Sequence, residues 1–239
     1  MSEQDQKQTP RKTKLKRITL QVAGFCARLL MYWSVIVIFL GVIYWVAPPV
    51  STLMIGDWFR GQNVSRTYVS LDEISPYLPR AVIASEDASY CRHSGIDWEA
   101  LNDVIKAAIK RGPSRGASTI AMQTAKNLFM VSSRSYIRKG LEIPVAMYLD
   151  LIWSKRKMIE IYLNIAEWGN GIYGAEAAAQ HYFRKSAKNL TRQEAALLAV
   201  ALPNPIQRNA GRPNNFHRVL AGQLLQRMNL EGDVDFCFR

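Results

Sequence analysis

Glu86 and Asp87 are adjacent carboxylates that close the apolar run Ala81-Val82-Ile83-Ala84 and lead, at helical spacing, to Tyr90, His93 and Gly95. An acid at the end of an apolar segment is partly desolvated, and desolvation raises its pKa toward neutrality. A general base or acid working near pH 7 requires that property. A helix end with two solvated acids is the plain alternative, and this segment alone leaves both readings open. Downstream, Arg115-Gly116-Ala117-Ser118 forms a turn opening a helix, where unsatisfied N–H groups and the helix dipole suit an anion. Lys126 and Arg134 follow where they could supply charge; an ordinary helix capped by Ser118 accounts for the same residues. Arg138 and Glu142 stand at i and i+4, as a surface ion pair or with Glu142 as a second acid turned toward a cleft.

Two further matches carry less. Ser154-Lys155-Arg156-Lys157 fits the Ser-x-x-Lys pattern of penicillin-binding transpeptidases, but no Lys-Thr-Gly or Ser-x-Asn partner exists in the chain. Asp233-Val234-Asp235 resembles a glycosyltransferase metal motif but lies among the last seven residues.

The elements that must position these residues read as helices. Asp97 is placed to cap a helix to about Arg111, with Leu101, Val104, Ile105, Ala108 and Ile109 on one face. Ser118 caps the next, through about Asn127. Further helices are expected over 136–153, kinked near Pro144, and over 155–164. A glycine-punctuated turn at 168–174 precedes a helix at 175–183. Thr191-Arg192-Gln193-Glu194 is a capping box opening the apolar helix 195–202, and an amphipathic helix ends the domain at about 214–228. Tyr162 and Leu163 read as structural. Strand signal is confined to an extended segment at 64–71.

The N-terminal part is different in kind. Residues 1–22 are polar and basic, carry a net +4, lack apolar periodicity and read as a disordered cytoplasmic tail. Leu29 to Val46 is eighteen residues without a charge, flanked by Tyr32, Trp33, Tyr44 and Trp45, and reads as an uncleaved transmembrane helix at 23–47. The positive-inside rule sets the tail in the cytoplasm and the rest outside. Residues 48–65 read as a membrane-proximal connector, 66–230 as one mainly α domain, and 231–239 as a C-terminal tail.

The whole chain holds 31 Lys and Arg against 19 Asp and Glu, a net +12, so the domain itself is basic. That favours an anionic partner. Zinc-finger spacing and interleaved basic and aromatic residues are both missing, so nucleic acid is not expected. Cys26, Cys91 and Cys237 are too few and scattered for a disulfide framework or metal cluster, and whether Cys91 meets Cys237 stays open.

Four segments in register resemble the peptidoglycan glycosyltransferases (glycosyltransferase family 51), in their monofunctional form. Glu-Asp-x-x-Phe-x-x-His-x-Gly is met from Glu86 to Gly95, with Tyr90 for the phenylalanine. Gly-x-Ser-Thr-Ile-x-Gln-Gln-x-x-Lys-Asn runs from Gly116 to Asn127, with Met122 for the first glutamine. Arg-Lys-x-x-Glu matches Arg138 to Glu142, and Lys-x-x-Ile-Leu-Glu-x-Tyr-Leu-Asn matches Lys155 to Asn164, with Met158 and Ile159 changed conservatively.

The resemblance implies a mainly α, lysozyme-like fold with a small membrane-proximal jaw subdomain, preceded by one transmembrane helix. It implies polymerisation of lipid II into β-1,4 glycan strands with inversion, at the outer face of a bacterial inner membrane. Glu86 would be the base toward the acceptor 4-hydroxyl. Glu142 would assist at the donor side, through the pyrophosphate or a bound Mg²⁺ or other divalent cation. Lys126, Arg134 and Arg138 would stabilise the leaving pyrophosphate, Ser118, Gln123 and Lys139 would line the cleft, and Asp87 and Asn127 would support it. His93 is then a structural hydrogen-bonder. Expected partners are lipid II, the nascent glycan strand, membrane lipid and cell-wall synthesis or division proteins. A lytic transglycosylase, and a catalytically silent scaffold, are the competing readings.

Overall fold

Residues 3–111, 116–131, 135–230 and 237–238 are described by the structure, a computed structural model. The first element, α1 (Glu3–Ile43), runs unbroken from the basic tail through the apolar stretch. Its segment Lys16–Ile43 is long and apolar enough to cross a membrane. The expectation of a disordered tail is corrected. Gln, Lys, Arg and Glu are good helix formers, and adding them to an already nucleated apolar helix avoids the cost of a new nucleus. The helix stops at Ile43, short of the expected residue 47, in a turn before Ala47-Pro48-Pro49, because Pro48 has no N–H for the Tyr44 carbonyl and its ring would clash there. The chain divides into two compact units after Ile43.

The second unit begins with an element the sequence reading missed. The connector contains a helix, α2 (Thr52–Phe59), capped by Ser51, whose Oγ accepts from the Met54 N–H at 3.2 Å. The extended segment shrinks to β1 (Ser65–Arg66). The glycine turn is in fact a small hairpin of β2 (Glu167–Gly169) and β3 (Ile172–Tyr173), and β1 adds to β3 in parallel, giving the order β1-β3-β2. Gly171 turns that hairpin at φ +70°, where a Cβ would collide with the Asn63 carbonyl oxygen.

The remaining helices are α3 (Tyr77–Glu86), α4 (Trp98–Arg111), α5 (Ile120–Phe129), α6 (Tyr136–Ile152, containing Pro144), α7 (Lys155–Ile165), α8 (Ala175–Phe183), α9 (Arg192–Ala201) and α10 (Asn215–Leu230). The expected capping box opens α9: Thr191 accepts from the Glu194 N–H, and Glu194 accepts from the Thr191 N–H at 2.8 Å. Ser154 simply caps α7, accepting from the Lys157 N–H at 3.1 Å, which disposes of the transpeptidase match. The Asp233-Val234-Asp235 match lies outside the described residues.

Two packed layers place the chemistry. α3 lies against α9 and α10, and the buried alanines 195, 196, 199 and 201 let α9 approach the apolar face Leu78, Ala81, Val82 and Ile83. Truncating Ile83 to alanine there costs about 2–5 kcal/mol. α5 packs between α6 and α7 and is buried on almost every side. Of its ten residues, only Gln123 and Lys126 are not buried. Met122, the departure from the family pattern, is fully buried and packs as an apolar core residue. Cys91 and Cys237 form a disulfide across 146 residues, with Cα atoms 5.6 Å apart, which answers the question the sequence left open.

Candidate active site

Glu86 ends α3 and Asp87 is its C-cap, so one helix terminus sends two carboxylates in different directions. Asp87 turns inward. Its Oδ1 lies 2.8 Å from His93 Nε2, and its Oδ2 accepts from the Ile120 N–H at 2.9 Å. The anion expected at the start of α5 is therefore Asp87 itself, which offsets the positive end of the dipole and joins α3 to α5. Ser118 is not the cap. Thr119 takes that place, accepting from the Met122 N–H at 3.1 Å while donating to the Gly95 carbonyl at 2.6 Å.

The turn between Asp87 and Gly95 is pinned from below. Tyr90 donates to the Lys155 carbonyl at 2.7 Å, and Lys155 Nζ donates to the His93 carbonyl at 2.7 Å and bonds Asp150 at 2.6 Å. Gly95 (φ +81°) sits where a Cβ would lie 2.9 Å from the Ala146 carbonyl oxygen. Close approach of the motif to α6 thus requires glycine. His93 is a structural hydrogen-bonder, as expected.

Glu86 faces a cavity of about 270 Å³ lined also by Ser85, Ser118 and Arg227. Its Oε2 accepts from Gln123 Nε2 at 3.0 Å, and Gln123 Oε1 accepts from the Tyr162 hydroxyl at 2.9 Å. Burial pushes the Glu86 carboxyl above its ordinary range, against the opposing pull of the Gln123 and Ser85 hydrogen bonds and the Lys126 and Arg208 charges. A carboxylate so placed accepts a proton readily and has no cation at contact distance among the described residues.

Glu142, on α6, is treated in the opposite way. It is 2% exposed, and its two oxygens are divided between Arg138 Nη1 and Lys139 Nζ, the latter at 2.8 Å. Lys139 Nζ also donates to Ser118 Oγ at 2.6 Å, which links this cluster to the cavity holding Glu86. Lys126, on α5, is within electrostatic reach of both Glu86 and Glu142, and burial pulls its ammonium below the ordinary lysine range. The Arg138–Glu142 pair is thus a buried group of the cleft and not a surface bridge.

Of the expected site residues, Glu86, Ser118, Gln123, Lys126, Arg138, Lys139 and Glu142 form one connected cluster, with Asp87 behind it. Asn127 is buried one turn along α5; its carbonyl accepts from Thr52 Oγ1 at 3.1 Å, and its Oδ1 has no partner among the described residues. Arg134 lies outside the described residues. Three residues were missed or discounted. Tyr162, read as structural, reaches Gln123. Arg208 acts on Glu86 from beyond α9, and Arg227 of α10 donates to the Ala84 carbonyl at 3.4 Å. No local motif marks the two arginines, whereas Tyr162 lay in a recognised segment and lacked only its partner.

The comparisons place the chain in a family. Residues 53–229 match the family model described as Transglycosylase. A "Biosynthetic peptidoglycan transglycosylase" of Rhizobium leguminosarum is 49% identical over 226 residues, covering 93% of each chain. Proteins of the same name from Agrobacterium fabrum and Brucella suis are 51% and 48% identical, covering 79% and 83% of this chain and 84% and 92% of their own.

Proposed function

The chain belongs to the transglycosylase family, and on that premise we propose that this peptidoglycan glycosyltransferase polymerises lipid II into β-1,4-linked glycan strands. Glu86 takes the proton from the acceptor sugar's 4-hydroxyl as that oxygen attacks the donor's anomeric carbon. The anomeric carbon–oxygen bond to the pyrophosphate breaks on the opposite face, so configuration inverts. Lys126, Arg138 and Lys139 meet the charge that develops on the departing undecaprenyl pyrophosphate, the preorganised electrostatic stabilisation such a leaving group needs. Glu142 holds two of those cations in place, and Ser118 supplies the second contact of Lys139.

A divalent cation on Glu142 does not suit this arrangement. Both of its oxygens are engaged by cationic side chains, and among the described residues no three His, Cys, Asp or Glu cluster as ligands. The chain's own cations take the leaving group's charge.

The observation that carries the reading is the pairing of a proton-accepting Glu86 with a cation cluster on the far side of Ser118. Cleavage of a finished glycan would use one carboxyl but would release no anion for that cluster to meet. Membrane placement follows the same logic. The basic flank precedes the span, which favours a cytoplasmic tail, and the Cys91–Cys237 disulfide suits an oxidising compartment for the domain. Trp58, Phe59, Val131, Tyr136 and Ile137 are exposed apolar side chains on or beside α2, α5 and α6, suited to the bilayer that would hold the substrate's tail.

The test is a polymerisation assay with purified full-length protein in detergent or vesicles, supplied with lipid II. Glycan strands and undecaprenyl pyrophosphate are the expected products, with preformed peptidoglycan left intact. Solubilisation of preformed peptidoglycan without polymerisation would overturn the reading.

A further inference from the structure

The chain Tyr162–Gln123–Glu86 contains one member that no expectation used. Tyr162 is 1% exposed on α7, and its hydroxyl reaches Gln123 Oε1 at 2.9 Å. We propose that Tyr162 is a positioning residue for the reaction, whose hydroxyl donates to Gln123 Oε1 and thereby holds the amide with Nε2 toward Glu86.

The polarity of the chain follows from its surroundings. An ionised carboxylate only accepts, so Glu86 requires the amide to present Nε2. A tyrosine hydroxyl can donate or accept, and the local field decides. The charges of Glu86 and Asp87, together with complete burial, keep the Tyr162 proton firmly on its oxygen. Gln123 Oε1 carries no proton, so in the 2.9 Å bond the hydroxyl is the donor. A donor at Oε1 polarises the amide, and the polarised Nε2–H is a stronger donor to Glu86, because chained hydrogen bonds reinforce one another at low dielectric. Removal of the hydroxyl would leave Oε1 buried and unpaired, which is costly, and the amide would then rotate to find a partner. Glu86 would lose a donor that favours its ionised form, while burial, which favours the neutral form, would remain.

Other charged groups facing Glu86 are Lys126 from α5 and Arg208 from beyond α9, both of which favour the carboxylate. Arg227 from α10 lines the same cavity, and Asp87 follows in the chain. None of these contacts Tyr162 by a hydrogen bond among those described, so removing its hydroxyl isolates the relay.

The proposal rests on Glu86 being the base, so its test has one arm independent of activity. In full-length Tyr162→Phe, kcat/KM for lipid II polymerisation should fall about threefold to tenfold on the acid side of the profile and recover toward wild type at higher pH. The Glu86 carboxyl, followed by ¹³C NMR and assigned by loss of its signal in Glu86→Gln, should ionise at higher pH in Tyr162→Phe than in wild type. In a Gln123→Met background, Tyr162→Phe should add no further displacement, because the hydroxyl would act only through the amide.

A loss uniform across pH with an unmoved carboxyl titration would make Tyr162 a packing residue and overturn the proposal. So would an additive displacement in the Gln123→Met background. Should Tyr162→Phe fail to fold, Gln123→Met alone carries the test: its carboxyl titration must move upward, and an unmoved one overturns the relay. Wild type that titrates as described yet does not polymerise lipid II would count against the functional reading and not against the relay.

Discussion

Glu86 and Glu142 are carboxylates of one cleft, each placed by a helix, and the protein treats them oppositely. Glu86 is given hydrogen-bond donors and distant positive charge, but burial still holds its proton affinity up. Glu142 is given two cations at contact, one on each oxygen. The first arrangement stores reactivity and sacrifices stability; the second spends its carboxylate on holding Arg138 and Lys139 where a leaving group's charge would arrive. A residue's type therefore says less about its role than what has been placed within 3 Å of it.

The comparison breaks most sharply on two isosteric substitutions. Glu86→Gln should lower polymerisation by about a thousandfold, the middle of the range that general-base removal costs, while leaving thermal stability unchanged or slightly raised. The sign follows from linkage: a carboxyl whose pKa is raised by folding loses its stabilising contribution as pH rises, so at neutral pH its charge is a liability. Glu142→Gln should lower activity by about a hundredfold and also destabilise, by about 1–3 kcal/mol. That figure is below the one for a wholly buried pair because Lys139 is 38% exposed and partly solvated. Lipid II turnover beside a melting curve reads both, and equal melting shifts in the two variants would erase the distinction drawn here.

The sequence already held much of this contrast. The capping box at Thr191, the boundaries of α8 and the four motif segments were legible because each is a local pattern. Ser118 and Thr119 were not separable, since both can cap a helix. Thr119 takes the cap because its hydroxyl also meets the Gly95 carbonyl, 24 residues away, which releases Ser118 for Lys139. Arg138 and Glu142 could equally have been a surface bridge, and only the packing of α5 against α6 buries it. α2 escaped notice because eight residues containing Gly56 give too short a period to read. Tyr162 was visible as a core residue, but a hydroxyl's partner 39 positions away leaves no trace in spacing.

The pH profile sharpens the comparison further. The acid limb of kcat/KM should lie above the range of an ordinary glutamate, since burial raises Glu86. The alkaline limb should begin below that of an ordinary lysine, since burial lowers Lys126, to which the proposed function gives part of the leaving-group charge. Lys126→Arg should therefore retain its charge and extend the alkaline limb, even with a reduced maximum, because guanidinium does not titrate in the range. An alkaline limb that stays in place would remove Lys126 from that role.

The smallest effect concerns the link between the two regions. Ser118→Ala removes one acceptor from Lys139 and should lower kcat/KM about threefold to tenfold with little change in stability. Steady-state kinetics on lipid II checks this, and a full loss of activity would show that Ser118 contacts substrate directly.

The disulfide has a consequence in time as well as in space. Cys91 stands inside the Glu86–Gly95 turn, whereas Cys237 follows every other residue of the site along the chain. The tie on that turn can therefore form only after every residue of the cleft has been synthesised, and only where thiols are oxidised. A chain still being synthesised, or one cut after α10, carries every group of the cleft without the covalent closure. Closure of that turn therefore waits on a cysteine that lies 146 residues further along the chain.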